Sequence, residues 1–279
     1  MMKEKDQSIS ILGCGWLGLP LAVHLIGQGY PVKGSTTSPN KLPLLSKQGI
    51  NSYLISLNPK INEDYQQEFF NSHTLILNIP PSRRQPDVEQ FYPAQIQEVL
   101  KAAGNTALKN IIFVSSTSVY PSLNREVKEE DAGGELSASG KALLKVEQML
   151  LDQQRFQVSI LRFCGLYDKE RNPGRFLAGR KLDSSGKDVV NLIHLDDCIG
   201  IISMLLKKPA WGEIYNACSD VHPEKESFYA LATQNLGLEA PEFSDSAESS
   251  YKSVDSTKLK QYLEYRFLHP DPLRSLKES

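Results

Sequence analysis

Short, nearly continuous apolar runs alternate along this chain with stretches whose apolar positions recur at helical spacing. The runs at 8–12, 31–35, 52–57, 74–79, 110–115, 158–162 and 213–216 predict strands. Between them, 17–28, 91–103, 137–153 and 195–206 predict helices. A strand such as Ile111-Ile112-Phe113-Val114 has no polar face, so both faces of its sheet must be covered. Alternation of this kind predicts an α/β chain with a Rossmann-type, doubly wound parallel sheet. The pattern weakens over 168–190 and again over 241–256, which is rich in Ser and acidic residues and leads into a short helix. The expected division is a main domain over 1–165, rejoined by 191–218, and a small C-terminal lobe from 166–190 and 219–279.

Composition narrows the class. With 40% hydrophobic and 23% charged residues, the chain is an ordinary globular mixture, long enough to bury a core without staples. The 31 basic residues nearly balance 33 acidic ones, for a net charge of −2, which argues against a dedicated nucleic-acid binder. No segment approaches the ~20 apolar residues of a membrane span. The apolar stretch at 9–26 is broken by three glycines and Pro20, so it reads as strand, turn and helix rather than a leader. Cys14, Cys164, Cys198 and Cys218 are scattered without a C-x-x-C pair, the pattern of reduced cysteines filling a cytoplasmic core. A cytoplasmic monomer or homodimer is expected.

The first strand runs into Gly13-Cys14-Gly15-Trp16-Leu17-Gly18 and then a helix. In G-x-G-x-x-G the first glycine makes the turn, the second admits a pyrophosphate, and the third lets helix and strand pack. The phosphates then face the positive helix end. Strand before and helix after give this weak motif its confirming context. The cofactor is therefore NADP or NAD. An NAD site usually carries Asp or Glu about 20 residues on, but here stand Ser35, Thr36 and Thr37, and no carboxylate occurs between Gln7 and Asn62. Lys33, Lys41, Lys47 and Lys60 fall in that stretch. Hydroxyls and a cation, with Lys41 as the candidate, suit a 2′-phosphate, so NADP is preferred. Trp16 and Leu17 in the loop, and Ile79 and Pro80 at the end of the fourth strand, complete the expected cofactor wall.

The fifth strand ends in Ser115-Ser116-Thr117-Ser118-Val119-Tyr120, placing hydroxyls where ligands of parallel sheets bind. With Leu161-Arg162-Phe163, Gly165-Leu166-Tyr167, the segment 191–197 and Ile214-Tyr215-Asn216, the chain resembles an extended short-chain dehydrogenase/reductase over nearly its whole length. Gly-Trp-Leu-Gly and Ser-Ser-Thr-Ser-Val-Tyr make it most similar to the atypical YeeZ-like subgroup, described as NAD-dependent epimerase/dehydratases. The resemblance implies a Rossmann fold, a bound dinucleotide, and Ser116 as the strand-end hydroxyl facing substrate.

The departures fall on the chemistry. The family's Tyr-x-x-x-Lys helix aligns with Ser139 to Leu143, anchored by Gly140 and Glu147-Gln148. Ser139 then replaces the tyrosine and Leu143 the lysine that lowers its pKa. Lys141, Lys145 and Gln148 fall opposite the apolar stripe of Ala142, Leu143, Val146, Met149 and Leu150. Ser116, Tyr120 and Ser139 remain the catalytic candidates, although a tyrosine at 120 also reads as core. Val190-Asn191 replaces the Arg-Asp of sugar-nucleotide enzymes, and Gly165 stands where many epimerases place Asn, so a UDP-sugar fits poorly. Arg83, Arg84, Arg171 and Arg175 are candidates for an anionic small-molecule substrate, or simply solvated. His194, Asp196 and Asp197 read as a helix start capped by aspartate, and no metal site is expected. Two functions stay open: an oxidoreductase or epimerase with an altered acid–base set, and a non-catalytic dinucleotide sensor. A β-hydroxyacid-dehydrogenase-like reductase is a third, opposed by the Ser-Ser-Thr-Ser-Val-Tyr strand.

Overall fold

The computed structural model describes residues 7–82, 85–208 and 210–278. Its main sheet contains β1 (Ile9–Leu12), β2 (Val32–Thr36), β3 (Asn51–Leu54), β4 (Thr74–Leu77), β5 (Asn110–Ser116), β6 (Gln157–Phe163) and β7 (Ile214–Ala217). Spatially they run β7-β6-β5-β4-β1-β2-β3. β1 pairs in parallel with β2 and β4, β2 with β3, and β4 with β5. Between β6 and β7 the bonds Ile160 N–H to Glu213 O and Cys164 N–H to Ala217 O advance together on both strands, as parallel pairing requires. All residues of β1 and β4 are buried, which accounts for their mostly apolar sequences. The seven predicted strands are the seven strands of this sheet. β3 stops at Leu54 because Leu57–Asn58 folds back, antiparallel, on Lys60–Ile61.

The helices are α1 (Gly18–Gly27), α2 (Leu42–Lys47), α3 (Val88–Ala103), α4 (Ala138–Leu151), α5 (Leu195–Lys207), α6 (Lys225–Gln234), α7 (Thr257–Leu263) and α8 (Pro272–Glu278). No helix among the described residues is long and apolar enough to cross a membrane. Ser137 caps α4, its Oγ accepting the Gly140 N–H at 3.2 Å. α2, α6 and α8 carry too little periodic signal to be read in the sequence.

The chain divides into two compact units: residues 1–119, 136–161 and 205–214, and residues 120–135, 162–204 and 215–279. Relative to the sequence boundaries, the second unit also takes 120–135, the ends of β6 and β7, and most of α5. In the first unit α3 packs on α4, covering one face of the sheet. The second unit has its own core of Tyr167, Val190, Leu192, Phe228, Ala232 and Leu276. Three short parallel pairs tie it together: Gly165–Tyr167 with Leu192–His194, Lys181–Leu182 with Glu242–Phe243, and Ser253–Val254 with Glu126–Val127. Gly174 opens a single helical turn lying so close to α6 that a Cβ there would sit 2.6 Å from the Ala232 carbonyl.

The cysteines require a correction. Cys14 and Cys198 are buried free thiols, as expected, but Cys164 and Cys218 form a disulfide. Adjacent strand ends bring their Cα atoms to 5.3 Å although 54 positions separate them, and no local spacing encodes that.

Candidate functional site

The glycine loop joins β1 to α1, and its three glycines are needed for different reasons. Gly13 has φ +105°, and a Cβ there would lie 2.5 Å from the Asn78 carbonyl oxygen. A Cβ on Gly18 would collide with the Gly13 carbonyl. Gly15 has neither constraint: its φ is not positive, and a Cβ would meet nothing within 4 Å. Nothing inside the protein demands glycine at 15, so this exposed position fits a ligand approaching the backbone itself. Gly13 is gripped from two sides. Its N–H donates to Ser35 Oγ at 2.9 Å, and its carbonyl accepts from Asn78 Nδ2 at 2.9 Å. Leu17 is buried at the N-cap of α1, and Trp16 is half-buried. Cys14 is no nucleophile, since burial pushes its pKa up to about 12.

Beside the loop lies a cavity of about 130 Å³. It gathers Gly13, Ser35, Thr36, Thr37, Ile79 and Pro80, all expected from the sequence, and adds Leu12, Ile55, Leu57 and Gln95. Ile55 and Leu57 follow β3, so the rule that ligands sit beyond strand carboxyl ends could have found them. Gln95 comes from α3 and is fixed by donating to the Leu57 carbonyl at 2.8 Å. Asn78, the loop's buttress, was also missed; it follows the last residue of β4. The lining holds no carboxylate. Thr36 Oγ1 accepts the Ser38 N–H at 3.2 Å, so Ser35 and Thr36 both use an oxygen lone pair and keep a proton to donate. Among the lysines of that stretch, Lys33 is committed elsewhere: its Nζ donates to Glu68 Oε1, Glu68 O and Asn71 O at 2.6–2.7 Å. Lys41 is exposed on the turn Pro39–Lys41 that precedes α2.

At the end of β5, Ser115 points inward and donates to Glu147 Oε1 at 2.5 Å. Ser116 is half-buried, and its Oγ accepts the Ser118 N–H at 3.2 Å. Gly140, which follows Ser139 in the first turn of α4, packs against the Ser118 carbonyl. Leu143 is buried, 3% exposed. Lys145 is exposed, and Lys141 faces Glu89 on α3 at 3.8 Å. The face of α4 that would carry the family's lysine therefore holds an apolar side chain.

Tyr120, a catalytic candidate that also reads as core, belongs to the second unit, and its surroundings suit the core role. Its hydroxyl donates to Asn216 Oδ1 at 2.6 Å and accepts from the buried Arg162 guanidinium at 2.6 Å. Burial, partly offset by Arg162, pushes its pKa up to about 12. Such a hydroxyl is a structural tie. Arg83 and Arg84 lie outside the described residues. Arg171 donates to the Leu166 carbonyl at 3.1 Å and lies 5.5 Å from the Phe176 ring centre, whereas Arg175 is exposed beside a different cavity.

The acidic helix start also differs from expectation. Asp197 does not cap α5: its carboxylate accepts from Tyr265 Oη at 2.9 Å, Leu268 N–H at 2.7 Å and His269 N–H at 3.0 Å. His194 Nδ1 instead accepts the Asp196 N–H at 3.2 Å. His194, Asp196 and His269 place ligating atoms within 4.8 Å of one another. The two rings stack, with centroids 3.7 Å apart and planes at 30°. Imidazole ligates through an in-plane lone pair, and stacked rings do not aim theirs at one point.

A crossover sheet in this order, with a glycine loop after its first strand and serines at the end of its fifth, is the fold of the short-chain dehydrogenase/reductases. Solved structures of that fold include a superfamily protein from Agrobacterium tumefaciens with bound NAD, at TM-score 0.77 and 16% identity, covering 97% of this chain and 95% of that one. MoeE5 in complex with UDP-glucuronic acid and NAD superposes at TM-score 0.75 and 16% identity, over 97% and 98% of the two chains. No family model matches the chain. Protein YeeZ of Escherichia coli K12 is 37% identical over 270 residues, spanning 96% of this chain and 98% of YeeZ. The chain belongs to the YeeZ family, an atypical branch of the short-chain dehydrogenase/reductases.

Proposed function

We propose that the protein binds NADPH, and NADH more weakly, and acts as an epimerase- or reductase-like oxidoreductase on a small anionic substrate. The observation that carries this is Gly15, whose missing side chain serves nothing inside the protein. The fold neighbours with bound NAD support the class of ligand. The loop and the first turn of α1 would hold the pyrophosphate, and Ser35, Thr36 and Thr37 would donate to the 2′-position. When bound, the nicotinamide supplies or accepts a hydride. Ser116, oriented through its bond from Ser118, would hold a substrate oxygen, with Ser139 as the second hydroxyl. Asn191 offers no cation to a sugar-nucleotide diphosphate: its side chain bridges the Lys252 carbonyl and the Val254 N–H. A cytoplasmic location, where such an enzyme meets its cofactor, belongs to the same reading.

Fluorescence titration with NADPH and NADH tests the cofactor reading. Tighter NADPH binding is expected, and a clear preference for NADH would remove the argument from the carboxylate-free pocket. A second reading, a dinucleotide sensor without turnover, is favoured by the buried Leu143. General acid–base catalysis supplies roughly 10²–10⁴-fold, so without the Tyr–Lys pair only slow turnover on a carbonyl panel is expected. Brisk turnover abolished by Ser116→Ala would decide for the enzyme.

A further inference from the structure

The second unit contains a cavity of about 470 Å³, within the size range of small-molecule sites. Three cations stand around it: Lys169 and Arg175, from the segment after β6, and Lys277 from α8. No carboxylate joins them in the lining, and none of the three makes a salt bridge among the described residues. Neighbouring charges are neutralised instead: Arg274 pairs with Glu278 at 2.8 Å, and Lys181 with Glu242 at 2.9 Å. The cavity lining thus carries three cations and no carboxylate.

Its frame is fixed. Asn172 is buried, 6% exposed, and its Oδ1 accepts the Gly174 N–H at 2.9 Å, which sets the turn presenting Arg175. Opposite, Asn235 at the end of α6 donates from Nδ2 to the Leu276 carbonyl at 2.6 Å, locking α8 and hence Lys277 against α6. Leu276 is buried in the unit's core and gives the cavity an apolar floor. Two amides thus hold the turn carrying Arg175 and the helix carrying Lys277 around one concave space, which Lys169 also lines. Arg presents a planar fork of donors and the lysines mobile point charges, a combination suited to a tetrahedral oxyanion.

We propose that this cavity binds a small phosphate monoester through Lys169, Arg175 and Lys277, with the ester's organic part resting on Leu276. This is an anion site of the second unit in its own right, and it does not rest on the substrate reading above. Calorimetric titration of the full chain with inorganic phosphate, glucose 6-phosphate and free glucose tests it. Glucose 6-phosphate should bind, inorganic phosphate should bind more weakly, and glucose should not bind. Raising the salt concentration should weaken both anions. Arg175→Gln and Lys277→Gln should each reduce glucose 6-phosphate affinity about tenfold, and a variant carrying both should reduce it about a hundredfold. All three cations are exposed, so these variants should keep the fold, which far-UV circular dichroism checks. NADPH titration of the same samples separates two failures: intact NADPH binding without anion binding overturns the cavity alone. Equal affinity for the phosphate ester in the doubly substituted protein would also overturn it.

Discussion

The unit carrying the glycine loop is held mainly by strand ladders and apolar helix faces; its partner unit is held by buried polar side chains gripping distant backbone. In the first, β1, β4 and β5 are mostly apolar and mostly buried. In the second, Asp188, 1% exposed, accepts from Lys225 Nζ, 37 residues away, and from Ser249 Oγ and Ser250 N–H, 61 and 62 residues away. Asn191, Asp197 and the Arg162–Tyr120–Asn216 chain do the same. Hydrocarbon burial tolerates substitution by similar volume, whereas a buried carboxylate bonded by several donors has no conservative replacement.

Asp197→Ala probes that difference most strongly. It removes the acceptor for one hydroxyl and two backbone N–H groups, and bonds to a charged group contribute about 1.5–3 kcal/mol each without adding fully. A loss of about 3–5 kcal/mol is expected by urea denaturation, with amide exchange accelerating first over 265–278. A loss below about 1 kcal/mol would mean that the second unit does not depend on its polar grips. Gly15→Val makes the opposite demand on the first unit. The structure leaves room for the side chain, so stability should hardly change while dinucleotide affinity falls about a hundredfold, roughly 2.7 kcal/mol. Undiminished affinity in the folded variant would show that the loop does not receive a pyrophosphate.

The same difference explains what could be read from the sequence. Short continuous apolar runs exposed all seven sheet strands, because both faces of the sheet are covered, and period-3.6 patterns exposed four of the longer helices. The glycine loop was legible because each of its constraints is local. Asp197 was misread as a helix cap because a capping aspartate and one reaching 70 residues onward look alike in sequence. That Lys33 is held by Glu68 and Asn71 has no local signal, because both lie 35 or more residues onward. Lys277 gave no signal at all, since only the docking of α8 on α6 brings it to Arg175.

Asn78→Ala tests whether the first unit has one polar grip of its own that matters. It deletes the donor to the Gly13 carbonyl and leaves that half-buried oxygen without it. A loss of about 1–2 kcal/mol is expected by urea denaturation. A several-fold weaker dinucleotide affinity should accompany it, because the loop's turn is no longer held from the β4 side. Equal stability and affinity in the variant would assign the loop's rigidity to Ser35 alone.

The smallest effect concerns pH, and it should appear mostly in the second unit. Burial lowers the pKa of His73 in the first unit, and of His194 and His222 in the second. For His194 the neighbouring His269 adds to the lowering, while Asp196, Asp197 and Asp168 oppose it. A depressed imidazole pKa means that the unfolded chain takes up a proton before the folded one does. Stability is therefore full above the ordinary imidazole value near 6.5 and declines as pH falls from there toward the folded values. Differential scanning calorimetry between pH 7.5 and 5.5 should show Tm falling with pH. Replacing His194 and His222 together by Gln should flatten that slope more than His73→Gln does, because two of the three lowered imidazoles lie in the second unit. A Tm that rises on acidification, or an equal response in both variants, would place the acid sensitivity elsewhere than in the buried imidazoles of the second unit.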